Sequence, residues 1–472
     1  MGHLFISAAH KSSGKTTITL GLCAALQQRG MAVRPFKKGP DYIDPMWLGQ
    51  AANYPCYNLD FNTMSHAEIG ALFQRHSHNG DISIIEGNKG LYDGLDLDGS
   101  NSNAALAILL HTPVVLVIDA QGMTRGIAPL ILGYQSFEPN LNIAGIILNK
   151  LGGSRHEAKL RRVIEHYTNV PVIGAVHRDN KLQLLERHLG LIPSNETSDA
   201  DEHIANVADI IKQQVDLDKI IGIADTSIGS GASFVVEVKA ESESAFANNL
   251  RIGIAKDAAF GFYYPDDIEA FSHYGATLVP FDTLNDKHLP EIDGLFIGGG
   301  FPETHMQLLE ANKSMRDAIQ SAIKNGLPVY AECGGLMYLT RSLEWQGQIC
   351  KMVGAIPADT VMHERPQGRG YVRLRETSIY PWRESSTSSN PHEYPAHEFH
   401  YSTLENVDTT LEFAYDVLRG TGINGTHDGI VYHNILGSYT HFRNVQNNQW
   451  VKRFLRFVQQ HAARSPKAVR PT

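Results

Sequence analysis

The first half of the chain alternates short, continuously apolar runs with longer stretches in which apolar residues recur every three or four positions. The runs HLFISAA (3–9), MAVRPFKK (31–38), DISIIEG (81–87), TPVVLVIDA (112–120), NIAGIILNK (142–150) and VPVIGAV (170–176) are strand-length and rich in β-branched residues. Runs that are apolar throughout suit strands covered on both faces, and the amphipathic stretches between them suit crossover helices. The pattern predicts an α/β domain with a doubly wound parallel sheet. It breaks between about 214 and 250, where TSIGSGAS and KAESESAFANN are small and polar. A second α/β pattern follows: LRIGIAKD (250–257), ATLVPFD (276–282), IDGLFIGGG (292–300), a helix over 305–325, LPVYAECGG (327–335), then strand-rich text to GSYTHF (437–442). We therefore expect a first domain over 1–225, a linker over 226–249, a second domain over 250–461 and a basic tail over 462–472.

Length agrees with this division, because 472 residues exceed one ordinary core. A net charge of -9 gives nucleic acid no overall attraction, so any anionic ligand must meet local cations. The longest apolar run reaches Asp119 well short of a membrane span, and no membrane segment is expected. The N-terminus meets Lys11 early and offers no signal-peptide core, while Ile6 departs from the myristoylation pattern. Cys23, Cys56, Cys333 and Cys350 are scattered without a CxxC pair, which fits a reducing cytoplasm.

Residues 9–16, Ala-His-Lys-Ser-Ser-Gly-Lys-Thr, follow the P-loop pattern except at the opening glycine. The loop sits between a predicted strand and a predicted helix, where main-chain N–H groups face phosphates. Lys11, Ser12, Ser13, Gly14, Lys15, Thr16 and Thr17 are thus expected to bind ATP, with Lys15 on the β- and γ-phosphates and Thr16 on Mg²⁺. Alanine replaces the opening glycine wherever φ is negative. The stretches FKKGPDYIDP (36–45) and IIEGNKGLYDG (84–94) follow the next strands, at the sheet edge where α/β ligands bind. Lys38 is expected to stabilise a transferring phosphoryl group, and Asp41 and Asp44 to hold metal or orient substrate. We assign Asp41, with Glu86 and Thr16, to the metal and Asp44 to the substrate.

In the second half, LPVYAECGGLMYL places Cys333 at a strand-to-helix elbow, the geometry that exposes a nucleophile. Gly299, Gly300 and Gly334 are expected to supply oxyanion-hole N–H groups, and His441 in GSYTHFR to be the base. Cys23 and Cys350 read as core thiols, and Cys56 stays open, weighted towards structure. His397, Glu398 and His400 have metal-like spacing, but strand alternation puts the two histidines on opposite faces, which argues against a metal.

The run GKTT, PFKKGPDYIDP, NLD, EGNKGLYDG, LNKLGGSRHE and ERHLGLIP resembles the dethiobiotin-synthetase-like domain of cobyrinate a,c-diamide synthases over nearly all of residues 1–200. AAFGFYYPDDIEAF and HEFHYS extend the resemblance through 250–445, and the Cys-then-His order resembles class I glutamine amidotransferases. The resemblance implies that Asn149 contacts adenine, that Asp93 helps seat the substrate, and that HEFHYS lines the substrate cleft or an interface. It implies Mg²⁺, with ATP and L-glutamine as co-substrates, and a ligase that amidates the a- and c-acetates of cobyrinate through an acyl phosphate, with ammonia shielded on its way. Sirohaem and nickel-sirohydrochlorin stay open as alternative tetrapyrrole polycarboxylates, and Lys37, Lys89, Arg125 and Arg155 are placed to meet their charge. A homodimer is a candidate assembly. The glutamate usual two residues after the histidine of class I enzymes is Arg443 here, as in a dyad subgroup, so sequence names no partner for His441. Two other classes compete. A partitioning-type ATPase carries a lysine where this chain has His10, and an inactive binding protein would account for Arg443.

Overall fold

A computed structural model describes residues 2–183, 186–187, 190–197, 199–228, 246–383 and 392–462. The chain divides into two compact units between residues 238 and 239. Most of the linker expected over 226–249 and of the tail over 462–472 lies outside the described residues, as do parts of ERHLGLIP. Both units are α/β. Among the described residues no helix is long and apolar enough to cross a membrane.

In the first unit β1 (Gly2–Ala8), β2 (Val33–Lys38), β3 (Tyr57–Leu59), β4 (Ile82–Glu86), β5 (Val114–Asp119), β6 (Ile143–Leu151) and β7 (Val172–His177) form one sheet in the order β3-β2-β4-β1-β5-β6-β7. Every pairing is parallel. Burial explains the apolar text: β4 is buried at every position and β5 at all but its last. The helices are α1 (Lys15–Gln28), α2 (Ile43–Ala52), α3 (His66–Ser77), α4 (Asn103–Leu109), α5 (Ile127–Phe137), α6 (Ser154–Tyr167), α7 (Ala200–Gln214) and α8 (Leu217–Asp225), with a short ladder of β8 (Glu186–Arg187) and β9 (Gly190–Leu191). The chain leaves β1 for β2 and β3 on one side, returns at β4, then continues at β5 on the other side. The C-terminal ends of β1, β2 and β4, beside this reversal, carry the P-loop, FKKGPDYIDP and EGNKG.

The second unit contains β10 (Arg251–Ala255), β11 (Phe260–Phe262), β12 (Thr277–Phe281), β13 (Gly294–Ile297), β14 (Gly299–Gly300), β15 (Val329–Glu332), β16 (Ser342–Trp345), β17 (Gln348–Lys351), β18 (Asp359–Met362), β19 (Gly368–Glu376), β20 (Glu393–His400), β21 (Ser402–Glu405), β22 (Glu412–Arg419), β23 (His427–Tyr432) and β24 (Ile435–Ser438). Nine of these make a mixed sheet, β12-β10-β13-β15-β24-β23-β22-β19-β20, parallel as far as β24 and antiparallel beyond. Its helices are α9 (Pro265–His273), α10 (Met306–Ala311), α11 (Lys313–Lys324), α12 (Gly334–Leu339) and α13 (Trp450–Ala462). The single helix expected over 305–325 is two. Asn312 leaves the helical region and its side chain accepts from Met315 N, so one residue ends α10 and caps α11. Strand β15 pairs with β24 so that Glu332 faces Ser438, which brings the chain after each strand to the same edge of the sheet.

Candidate active site

Six residues turn the chain from β1 into α1. Ser12 (φ 65°) and Gly14 (φ 85°) are left-handed, and a Cβ on Gly14 would lie 2.2 Å from Asn149 Nδ2. Only glycine fits there, whereas Ala9 keeps a negative φ and needs no glycine. Ser13 Oγ donates to His10 O (2.8 Å), Lys150 Nζ to Ser12 O (2.8 Å) and Tyr134 OH to Ala9 O. Lys150 also pairs with Asp119 at 2.8 Å. Asn149, expected at adenine, has both ends of its amide in use: Nδ2 donates to Ser13 O (2.9 Å) and Oδ1 accepts from Lys150 N (2.9 Å). The LNK segment thus braces the phosphate loop, a role the sequence reading missed. Lys11 and Ser12 are exposed, and Thr17 Oγ1 lies 3.5 Å from Leu182 O. Lys15 Nζ reaches across to Lys89 O (2.6 Å), and burial holds its pKa below the usual lysine value.

Thr16, Asp44, Glu86 and Lys37 converge. Thr16 Oγ1 donates to Glu86 Oε1 (2.8 Å) and lies 3.3 Å from Asp44 Oδ2. Lys37 Nζ contacts the same Asp44 oxygen, Glu86 Oε1 (2.8 Å) and Asp41 Oδ2 (3.7 Å). Burial alone would depress Lys37, but the carboxylates of Asp44, Glu86 and Asp41 outweigh it and hold the ammonium well above its ordinary pKa. Burial pushes the pKa of Glu86 up, with Lys37 opposing. Lys37, expected to meet substrate charge, is buried inside this cluster with its ammonium among three carboxylates. Asp44, expected at the substrate, is the aspartate beside Thr16 and Glu86, while Asp41 Oδ1 accepts from Ile43 N (3.0 Å) and Asp44 N (3.2 Å) and so caps α2.

The cluster fits a hard divalent cation by its donor set. Thr16, Asp44 and Glu86 present oxygens only, and the fully buried Glu86 Oε2 has no hydrogen-bond partner. Among the described residues no three His, Cys, Asp or Glu side chains are placed to hold a metal by themselves; the Thr16 hydroxyl would complete a set with Asp44 and Glu86. Lys38 points away from Lys37 by strand alternation. It is buried, 3.5 Å from Asn88 Oδ1, and its pKa is lowered to about 8 by burial, with Asp60 opposing and Lys89 reinforcing. Asp93 is exposed, and its Oδ2 accepts from Gly90 N at 2.9 Å, closing the EGNKG turn. Lys89, Arg125 and Arg155 are exposed, and Arg125 stands over the Tyr167 ring at 5.2 Å.

In the second unit Cys333 follows β15 and caps α12 at φ 47° and ψ −102°, a conformation that costs a non-glycine residue about 1–3 kcal/mol. Cys333 N donates to Ser438 O (2.7 Å), tying the elbow to the strand that leads to His441. A Cβ on Gly334 would lie 3.0 Å from Gly300 N, and one on Gly299 would lie 2.7 Å from His441 Cε1. The three expected oxyanion glycines are therefore gathered around the cysteine and histidine. His441 is hydrogen-bonded to the Cys333 sulfur, and its Nδ1 lies 3.3 Å from Glu332 Oε2. Burial works against the imidazolium, but Cys333 and Glu332 outweigh it and raise its pKa to about 10.

Asp428 sets the turn before the histidine, accepting from Ser438 Oγ (2.7 Å), Tyr439 N (3.1 Å) and Thr440 N (3.0 Å). Arg443, buried, pairs through Nε with Asp266 at 2.9 Å and stands over Tyr264, while Asn444 N donates to Asp267 (2.7 Å). It fastens the histidine loop to the first turn of α9. His397 points away from Glu398 and His400, which share a strand face, His400 Nε2 lying 3.9 Å from Glu398 Oε2. The His397 ring stacks on His441 (5.0 Å, 16°) and is kept neutral by burial and by His441 and Arg443. Glu398 accepts from Thr421 N and Gly422 N (2.7 and 2.8 Å), and His400 stacks on Tyr439. Phe399 O accepts from the Cys333 thiol at 3.8 Å, so this strand walls the site. Cys23, Cys56 and Cys350 are buried, and burial pushes each thiol up. Glu332 and Asp428 were not anticipated, although Glu332 ends a buried strand just as Glu86 does.

Residues 5–192 match the CobQ/CobB/MinD/ParA nucleotide binding domain family, and residues 251–449 match the CobB/CobQ-like glutamine amidotransferase domain. The chain is 43% identical to a cobyrinate a,c-diamide synthase of Magnetococcus marinus, covering 96% of each chain. It is 41% identical to a protein of that name from Methanosarcina acetivorans, covering 94% of this chain and 92% of the other. A third of the same name, from Archaeoglobus fulgidus, is 39% identical over 96% of each. Likeness of this degree along nearly the whole length makes the chain a member of the cobyrinate a,c-diamide synthase family.

Proposed function

We propose that the chain is an ATP- and glutamine-dependent ligase that converts the a- and c-acetate carboxylates of cobyrinate, a tetrapyrrole polycarboxylate, into amides. The observation that carries this reading is the strained Cys333 with His441 on its sulfur, in the same chain as a P-loop backed by Thr16, Asp44 and Glu86. One unit supplies nitrogen and the other activates a carboxylate. Residues 11–17 bind the ATP phosphates, and Lys15 and Lys38 offset charge on the transferring phosphoryl group as a substrate carboxylate oxygen attacks it. Thr16, Asp44 and Glu86 would hold Mg²⁺, which when bound offsets phosphate charge. ADP leaves, and the acyl phosphate is then attacked by ammonia with loss of phosphate.

On the nitrogen side, Cys333 gives its proton to His441 and its sulfur attacks the glutamine amide carbon. The N–H groups of Gly299, Gly300 and Gly334 receive the developing oxyanion. Ammonia departs with the proton from His441, and water hydrolyses the thioester. The names borne by the relatives support cobyrinate over sirohaem or nickel-sirohydrochlorin. Free cysteines and a need for ATP support a cytoplasmic setting for the reaction. The test is mass spectrometry of all three tetrapyrroles after incubation with ATP, Mg²⁺ and glutamine. Cobyrinate should show OH-to-NH₂ exchange at two carboxyls, and exchange confined to another macrocycle refutes the substrate. Cys333→Ser should lose the reaction with glutamine and keep it with ammonia; loss of both refutes the division of labour.

A further inference from the structure

A base that takes a proton from a thiol must present an unprotonated nitrogen to it, and imidazole does so only if the proton sits on the other nitrogen. Something must hold that proton. In this chain Nδ1 of His441 lies 3.3 Å from Glu332 Oε2, which leaves Nε2 for Cys333. Glu332 is itself fixed. It is 3% exposed, and its Oε1 accepts from Tyr330 OH (2.6 Å) and Phe442 N (3.0 Å). Tyr330 shares its strand face by alternation, and Phe442 follows His441 directly. One carboxylate therefore ties the strand bearing the nucleophile to the segment bearing the base.

The other charged or titratable groups around this pair are engaged elsewhere. Asp266 pairs with Arg443, and Asp267 accepts from Asn444 N and Trp450 Nε1. Asp428 holds Ser438, Tyr439 and Thr440. His397 lies flat on the ring of His441 and not in its plane, and Tyr263 donates to Ala255 O.

We propose that Glu332 is the positioning residue of the glutaminase site, fixing His441 with its proton on Nδ1 and stabilising the imidazolium formed when Cys333 loses its proton. The proposal rests on the reading of Cys333 and His441 as the glutaminase pair. Through the cycle Glu332 stays ionised and takes no proton: the thiol proton passes to Nε2 and from there to the departing ammonia.

In Glu332→Gln the side-chain amide meets Nδ1 and favours the opposite tautomer. Glutaminase kcat should fall by roughly 10²- to 10⁴-fold, the scale of a mis-set tautomer, with little change in the KM for glutamine. The pH profile of Cys333 alkylation by iodoacetamide should move to higher pH. Glu332→Asp should restore part of kcat, and Tyr330→Phe should give a smaller loss with a smaller shift. Native kcat together with an unmoved alkylation profile in E332Q overturns the proposal. If E332Q loses its near-UV dichroism, E332D and Y330F decide: shifted profiles with intermediate kcat support the role, and native profiles in both overturn it. Cys333→Ala separates the two levels. If C333A still hydrolyses glutamine, the glutaminase reading falls and the proposal with it; an inactive C333A beside a native-like E332Q removes only Glu332.

Discussion

Arg443 occupies the position where the class I resemblance led us to expect a carboxylate, and the structure makes it a tether. Its guanidinium is 2% exposed and pairs with an Asp266 side chain that is 12% exposed, with the Tyr264 ring 5.1 Å away. Arg443→Met removes the cation and leaves Asp266 largely buried, next to Asp267. Breaking one side of a buried pair costs about 3–5 kcal/mol, much of it the stranded charge. For a unit of this size that corresponds to a fall of roughly 6–20 °C in its melting temperature. Asp266→Asn in the same chain removes the stranded charge, so the double variant should recover at least half of the loss. Urea unfolding followed by fluorescence of Trp382 and Trp450, both buried in this unit, reads the stability. Glutamine hydrolysis per folded molecule reads the chemistry, and in R443M it should stay near that of the unsubstituted chain. The tether is refuted if R443M melts like the unsubstituted chain yet hydrolyses no glutamine, or if the double variant is no more stable than the single.

Further outcomes can be checked on the first unit. Asp44→Asn should raise the Mg²⁺ concentration needed for ATP hydrolysis by at least about 10-fold, and Asp41→Asn, which keeps the cap on α2, by much less; the reverse order restores Asp41 as the ligand. Lys38 is cationic below its lowered pKa of about 8, so kcat/KM for ATP should fall as pH rises through that value. In Lys38→Arg, which stays charged, this alkaline limb should move up, and an unmoved limb assigns it elsewhere. Gly14→Ala puts a Cβ at φ 85° against the Asn149 amide, about 1–2 kcal/mol of backbone strain besides the overlap, and should weaken ATP binding measured by calorimetry.

The parallel sheet of the first unit was legible because its strands are buried on both faces and so read as unbroken apolar runs. The elbow at Cys333 was legible because a polar residue between a buried strand and two glycines marks a sharp strand-to-helix turn. Asn312 was not, since its role as both stop and cap is set by contacts with Thr283 O and Asp286 O, far away in sequence. The different surroundings of Asp41 and Asp44 depend on the first turn of α2, which turns Asp41 Oδ1 back onto main-chain N–H groups. Lys37 and Lys38 are neighbours in sequence, and strand alternation gives them different surroundings, one among carboxylates and one near Asn88. Glu332 escaped notice because its partner is 109 residues away.

Lys37 has a consequence for how the nucleotide site meets its ligands. Three carboxylates pressed together without a cation would drive one another apart, but this ammonium sits among them as part of the fold. The segments after β2 and β4 are therefore drawn to one point by an internal counterion. Chelating agents should accordingly stop phosphoryl transfer while leaving the melting of the unit where it was.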